Sequence, residues 1–316
     1  MTTAGNEKGT IDGTMQAEKD TATPDISVIV VTYNTATLIE RCLASVLAAT
    51  GVTADIRVVD NASSDGTAAV VRRDFPSIPC VENRENTGFA AANNQVLPDC
   101  TGRYVLFLNP DTEVKPSSLA AMVSFMDGHP AVGLAGARIV YPDGTPQWSV
   151  AYQYPSERYA REELRHLPGE IACVLGAAMI ARADLVRTLG GFDDDYFLYG
   201  EDQDLCLRIR RAGFAIGVVD HAVVIHHGGH SEKDTQPAEV WKKKVHAEYL
   251  FYEKHYRPET IRRIRRADMI KAWWRMVTLR YFPFLEKDRA RAKEKLEKYR
   301  VIYHAVRHYH GPESEG

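Results

Sequence analysis

Short blocks of β-branched and aliphatic residues alternate along the first half of the chain with segments whose apolar positions recur every three or four residues. Residues 26–31 are a strand-like run. Residues 36–49 set Leu38, Ile39, Cys42, Leu43, Val46 and Leu47 at helical spacing, and residues 56–59 are strand-like again, ending in Asp60. This is the pattern of a βαβ unit. A helix over about 65–74, a short strand near Val81, a helix over 88–97 and a strand over 104–108 continue the alternation. The spacing therefore predicts an α/β fold, with a Rossmann-like, mostly parallel sheet flanked by helices.

Beyond Pro116 the pattern predicts a helix over 117–126, a strand over 132–140, a turn at Pro142-Asp143-Gly144 and a loop region to about Gly169 that covers the site. A buried strand over 171–181, a helix over 201–211 and a strand-turn-strand over 215–225 follow. Residues 238–310 read as helical, interrupted near Pro258 and Pro283. The expected organisation is a polar, aperiodic leader over 1–24, a catalytic domain over 25–234 and a C-terminal helical region over 235–316.

In open parallel sheets, ligands bind beyond the carboxyl ends of the strands. Polar residues recur there: Thr32-Tyr33-Asn34 after the first strand, Asp60-Asn61 after the second, Asn86 and Gly88 after the third, and Asn109-Pro110-Asp111 after the fourth. Any one such cluster is equally the material of caps and turns; four in register point to a site.

Composition narrows the picture. Five cysteines without a CxxC pair fit a reducing, cytosolic compartment. No apolar run of about 18 residues suits a membrane span, and the leader lacks the apolar core of a signal peptide, so a soluble or peripheral protein is expected. The net charge of −3 is polarised, with 20 Lys+Arg against 11 Asp+Glu from Thr235 onward and 19 against 31 before it. An acidic body repels phosphate backbones, which disfavours nucleic acid as a partner.

Two further clusters carry candidate chemistry. Glu201, Asp202 and Asp204 place three carboxylates in one helical turn behind the aromatic segment 196–200. Such a cluster complements a helix dipole, but among apolar neighbours it also suits general-base work. His226, His227 and His230 add imidazoles at another strand end, and a mixed carboxylate and histidine set suits Mg²⁺ or Mn²⁺. Spacing alone leaves open whether these groups converge.

Taken together, the segments Ser27-Val28-Ile29-Val30-Val31-Thr32-Tyr33-Asn34, Val58-Val59-Asp60-Asn61-Ala62-Ser63-Ser64-Asp65-Gly66-Thr67, Asn86-Thr87-Gly88, Leu108-Asn109-Pro110-Asp111, Gly176-Ala177-Ala178-Met179, Gly200-Glu201-Asp202-Gln203-Asp204 and His226-His227-Gly228-Gly229-His230-Ser231 resemble the inverting family 2 glycosyltransferases of GT-A fold, over about residues 25–232. The resemblance implies a nucleotide-sugar site with Asp60 on the base. Thr32, Tyr33 and Asn34 would line the nucleoside pocket, and Asn86, Gly88, Gly176 and Ala177 would complete the binding surface. Asn109 stands where the family more often has aspartate, and is expected at ribose or phosphate. Asp111 and His226 would be the metal ligands, with His227 a competitor. Asp202 would be the catalytic base, with Glu201 and Asp204 positioning it or contacting the acceptor.

Among family members the chain most resembles rhamnosyltransferases of bacterial polysaccharide assembly, which implies dTDP-L-rhamnose as donor and a glycan or lipid-linked glycan as acceptor; UDP- and GDP-sugars stay open. A nucleotidyltransferase would call for a Gly-rich, lysine-containing loop after the first strand, which Thr32-Tyr33-Asn34-Thr35 is not. A non-catalytic binding protein on the same fold is the other alternative. The basic and aromatic C-terminal helices suit either the inner face of an anionic plasma membrane or packing on the catalytic domain or a second subunit.

Overall fold

The computed structural model describes residues 23–228, 235–282 and 288–309. Strands β1 (Ile26–Thr32), β2 (Ala54–Asp60), β3 (Cys80–Glu82) and β4 (Tyr104–Leu108) alternate with helices α1 (Ile39–Leu47), α2 (Thr67–Asp74) and α3 (Phe89–Val96). Then come β5 (Thr112–Val114), α4 (Ser118–Gly128), β6 (Val132–Val140), β7 (Val150–Ala151), β8 (Cys173–Val174), β9 (Ala178–Arg182), α5 (Ala183–Thr188), α6 (Glu201–Arg211) and β10 (Ala215–His226). Three helices follow: α7 (Pro237–His255), α8 (Pro258–Tyr281) and α9 (Arg289–Arg307). Residues 1–22, most of the expected leader, lie outside the described residues, as do His230 and the break expected at Pro283.

The fold is α/β, with one eight-stranded sheet in the order β3-β2-β1-β4-β9-β6-β10-β5. β1 pairs in parallel with β2 and β4, and β6 with β10, while β9 runs antiparallel between β4 and β6 and β5 closes the edge antiparallel to β10. Helices cover both faces. Ile26, Val28 and Val30 of β1 pack towards α1, α2 and α4, whereas Ile29 and Val31 pack towards α3 and α6. That two-sided burial is why β1 and β4 are apolar at nearly every position rather than alternating.

The structure differs from the sequence expectation in four places. The apolar run expected as one strand over 171–181 is two strands in different sheets, because the chain leaves the β7–β8 ribbon at Leu175 and enters the main sheet at Ala178. The expected strand-turn-strand over 215–225 is the single strand β10, in which exposed Asp220 and His221 form a bulge rather than a turn. Helix α1 starts at Ile39, not near Ala36, because the Leu38 and Ile39 amides both turn back onto the Thr35 carbonyl. β5, β7 and α5 were not anticipated; each is six residues or shorter.

The C-terminal helices close a third core. Tyr249, Phe251, Tyr252 and Tyr256 from α7 and its end pack with Tyr154, Leu164, Tyr196 and Leu207, so α7 rests on both the 154–172 segment and the back of α6. Among the described residues no helix is long and apolar enough to cross a membrane.

Candidate active site

The carboxyl ends of β1 and β2 form one side of the site. Asn34, in a left-handed conformation with φ of 52°, donates its backbone N–H to Ser63 Oγ at 2.9 Å and accepts from the Ser64 N–H through Oδ1 at 2.8 Å. The turn after β1 is thereby stitched to the turn after β2. Buried Thr32 shares a hydroxyl–hydroxyl hydrogen bond with Thr35, and Tyr33 stands half exposed beside them. Asp60 is only 3% exposed. Its Oδ2 accepts from the Ser63 N–H at 3.0 Å, and its Oδ1 has no hydrogen-bond partner among the described residues. A buried carboxylate oxygen left in that state invites an N–H donor.

Asn61, buried beside Asp60, organises the next loop. Its Nδ2 donates to Asn86 Oδ1 at 2.8 Å and to the Gly88 carbonyl at 3.1 Å, while its Oδ1 accepts from Asn83 Nδ2 and the Thr87 N–H, both at 3.0 Å. Asn86 Oδ1 also accepts from the Gly88 N–H at 2.9 Å, so Asn86 works within the loop. Gly88 has φ of +87°, and a Cβ there would lie 2.6 Å from the Phe197 carbonyl oxygen. This contact, with the Phe89 N–H donating to the same carbonyl at 2.8 Å, ties the loop to the segment that leads into α6. Tyr199, at φ of 71°, and Gly200, at φ of 86°, turn that segment into the helix. Left-handed geometry at a tyrosine is the kind of strain found where a functional group is held in place.

The fourth strand end meets the carboxylate cluster through the backbone. The Asn109 N–H donates to the Ala177 carbonyl at 2.9 Å, and the neighbouring Gly176 N–H donates to Asp202 Oδ2 at 3.1 Å. Asp202 Oδ1 accepts from the Gln203 N–H at 2.8 Å. Burial raises the pKa of Asp202 above the ordinary aspartate value, and these amide bonds only partly offset it. Burial, reinforced by the neighbouring charge of Asp202, pushes the Glu201 carboxyl up to about 8, and its Oε2 has no hydrogen-bond partner among the described residues.

Asp204 points elsewhere. Its Oδ2 takes Arg208 Nε at 2.7 Å and its Oδ1 takes His255 Nε2 of α7 at 2.7 Å, with Arg208 further donating to the Leu189 and Gly191 carbonyls. Burial alone would raise its pKa, but the His255 hydrogen bond and the Arg208 charge outweigh it, and the value is lowered. Of the two roles expected for Asp204, contact with an acceptor finds no oxygen left uncommitted.

At the far edge, the antiparallel pairing of Thr112 with His226 sets Asp111 beside the end of β10. His226 Nε2 lies 3.3 Å from Asp111 Oδ1, and its Nδ1 is 3.0 Å from Gln147 Oε1. His227 faces the other way, with Nε2 at 2.9 Å from Glu113. Gln147 Oε1 is an acceptor and so suits a proton on His226 Nδ1, which would leave Nε2, beside Asp111, as the ring's ligating atom. That is how a ligating histidine is usually supported. No group of three or more histidine, cysteine or carboxylate side chains placed to hold a metal occurs among the described residues. One carboxylate and one imidazole could hold a hard divalent cation only if its other ligands came from outside these side chains.

Residues 27–190 match the family model described as glycosyl transferase family 2. The chain belongs to this family. Among curated relatives, the N-acetylglucosaminyl-diphospho-decaprenol L-rhamnosyltransferase of Mycobacterium tuberculosis is 27% identical over 281 residues, covering 79% of this chain and 86% of that protein. The O-antigen biosynthesis protein RfbC of Myxococcus xanthus is 31% identical over 170 residues, covering 48% of this chain and 13% of that protein. Among solved structures, a mannosyltransferase of Pyrobaculum calidifontis in complex with GDP-Man and Mn2+ superposes with a TM-score of 0.55 at 21% identity, over 91% of this chain and 87% of that one. Staphylococcus aureus TarS 1-349 in complex with UDP-GlcNAc gives 0.51 at 18%, over 89% and 81%. The chain is a glycosyltransferase with the GT-A fold.

The sequence placed Asn61 in a strand-end cluster but assigned no role of its own to it or to Gln147. Each acts by saturating neighbours, a role visible only once partners are in place.

Two outcomes are expected. Asp204→Asn removes one partner of a buried ion pair and should cost about 3–5 kcal/mol at neutral pH by urea unfolding. Since the folded pKa of Asp204 is lowered, its contribution is complete above the ordinary aspartate pKa and is lost as pH falls through the folded value, so the gap between wild type and variant should begin to narrow only below about pH 4 and close at the lower pH where folded Asp204 takes up its proton. Gly88→Ala, which forces a side chain against the Phe197 backbone, should cost about 1–3 kcal/mol and lower turnover, read by thermal melts and activity together.

Proposed function

We propose that this glycosyltransferase is a metal-dependent, inverting rhamnosyltransferase that moves L-rhamnose from dTDP-L-rhamnose to a lipid-linked glycan in bacterial cell-surface polysaccharide synthesis. The observation that carries the transfer chemistry is Asp202. It heads α6, is oriented by the Gly176 amide, and is raised in proton affinity by burial. A carboxylate so placed suits a general base. The donor and acceptor reading rests on the mycobacterial relative, whose name specifies L-rhamnose and a lipid diphosphate acceptor.

In this reading Asp60 Oδ1 accepts from an N–H of the base, and Thr32, Tyr33 and Asn34 border the nucleoside. Asn109, Gly176 and Ala177 line the path from the diphosphate to the sugar, while Asn86 and Gly88 hold the loop beside it. Asp111 and His226 would hold the metal ion. A bound Mg²⁺ or Mn²⁺ would supply charge neutralisation for the departing diphosphate. Asp202 takes the proton of the acceptor hydroxyl as its oxygen bonds to the anomeric carbon from the face opposite the phosphate. The bond to phosphate breaks, dTDP leaves, and the anomeric centre is inverted. Protonated Glu201 keeps a second negative charge away from Asp202.

Release of nucleoside diphosphate from a panel of dTDP-rhamnose, UDP-glucose, UDP-GlcNAc and GDP-mannose, with membrane acceptors and with or without Mn²⁺ or Mg²⁺, tests the proposal. The expected result is metal-dependent release of dTDP, reduced about 10²–10⁴-fold by Asp202→Asn, with the acidic limb of the pH–rate profile above the usual aspartate range. Release only from a UDP- or GDP-sugar would refute rhamnose and keep the transferase. Gln147→Ala should raise the Mn²⁺ concentration for half-maximal activity about 10–100-fold without changing the thermal melt of the metal-free protein; an unchanged requirement there and in His226→Ala would remove His226 from the ligand set.

A further inference from the structure

Helix α8 presents a face that nothing in the described structure covers. Ile270, Trp273, Trp274 and Tyr281 are 68%, 54%, 58% and 65% exposed. At 100° per residue, positions 270, 273, 274 and 281 fall within about 60° of one another's mean direction and run along about 16 Å of helix. Soluble surfaces seldom string large aromatic residues together in this way.

The opposite side of α8 carries the packing, through buried Ile261, Ile264, Ala272 and Leu279. The aromatic stripe is therefore surplus to the fold. Around it the charge is one-sided. Arg262, Arg263, Arg266, Lys271 and Arg280 are all exposed, whereas Glu259 is the one exposed acid of the helix; Asp268 is partly buried and accepts from Tyr249 Oη at 3.1 Å.

We infer that this face of α8 docks on an anionic lipid bilayer, the tryptophans and tyrosine entering the headgroup zone and the arginines and lysine meeting lipid phosphates. Tryptophan and tyrosine, apolar in body and polar at the tip, are the side chains that favour that zone. A second copy of this chain would bring the same cationic rim against itself, so charge favours the anionic surface over a dimer. Docking deepens the lipid-linked acceptor reading, since it would hold the enzyme where such an acceptor resides. The surface itself belongs to α8 alone.

Cosedimentation of the full chain with vesicles of phosphatidylglycerol and phosphatidylcholine in equal parts, against pure phosphatidylcholine, tests this without donor or acceptor. A failure here is therefore separate from a failure of the transfer reading. The expected result is binding to the mixed vesicles that weakens in high salt, and that falls about tenfold or more in Trp273→Ser/Trp274→Ser and, independently, in Arg266→Glu/Lys271→Glu, with circular dichroism unchanged. Absence of binding, equal binding to both vesicle types, or binding indifferent to both double variants would overturn it. So would a dimer in sedimentation velocity that the tryptophan variant dissociates.

Discussion

One antiparallel strand in an otherwise parallel run sets the geometry of the site. β9 pairs with β4 on one side and β6 on the other, and because it runs backwards its start, not its end, lies at the ligand-facing edge. The residues just before it, Gly176 and Ala177, therefore reach the edge with their backbone groups free of the sheet ladder. One bonds Asp202 and the other bonds Asn109. Parallel strands deliver side chains to that edge, whereas β9 delivers a peptide unit. A peptide N–H is a rigid donor with no rotamers to lose, and it orients a carboxylate at small entropic cost.

The three carboxylates at the head of α6 illustrate how environment divides like residues. Asp204 is buried with Arg208 and His255 as counter-charges, and its proton affinity falls. Glu201 is buried and Asp202 partly buried with no cation beside them, and theirs rises. The direction of each shift follows from whether opposite charge accompanies the loss of water. Two carboxylates with opposite shifts in proton affinity thus sit two residues apart on one helix.

Much of this was legible in the chain itself. β1 and β4 read as strands because burial on both faces demands continuous apolar runs, and the motif positions at Asp60, Asn109 and Asp202 do fall at strand ends or a helix start. The split between β8 and β9 was not legible, since an apolar run looks alike whether it serves one sheet or two. β5 was hidden by its three residues, yet its pairing with β10 is what brings the Asp111 carboxylate to the His226 ring rather than to the ring of His227. Nor could spacing separate Asp202 from Asp204: residues two apart on a helix point about 200° from each other, but which one faces the site depends on the helix's rotation, and only packing sets that.

The bond between Asp204 and His255 crosses from the helix that bears Asp202 to the first of the C-terminal helices, inside a core that both regions share. The C-terminal helices are consequently no interchangeable appendage. Grafting them from another family member would break that hydrogen bond unless its histidine came with them, so α6 and the helices behind it are constrained to change together.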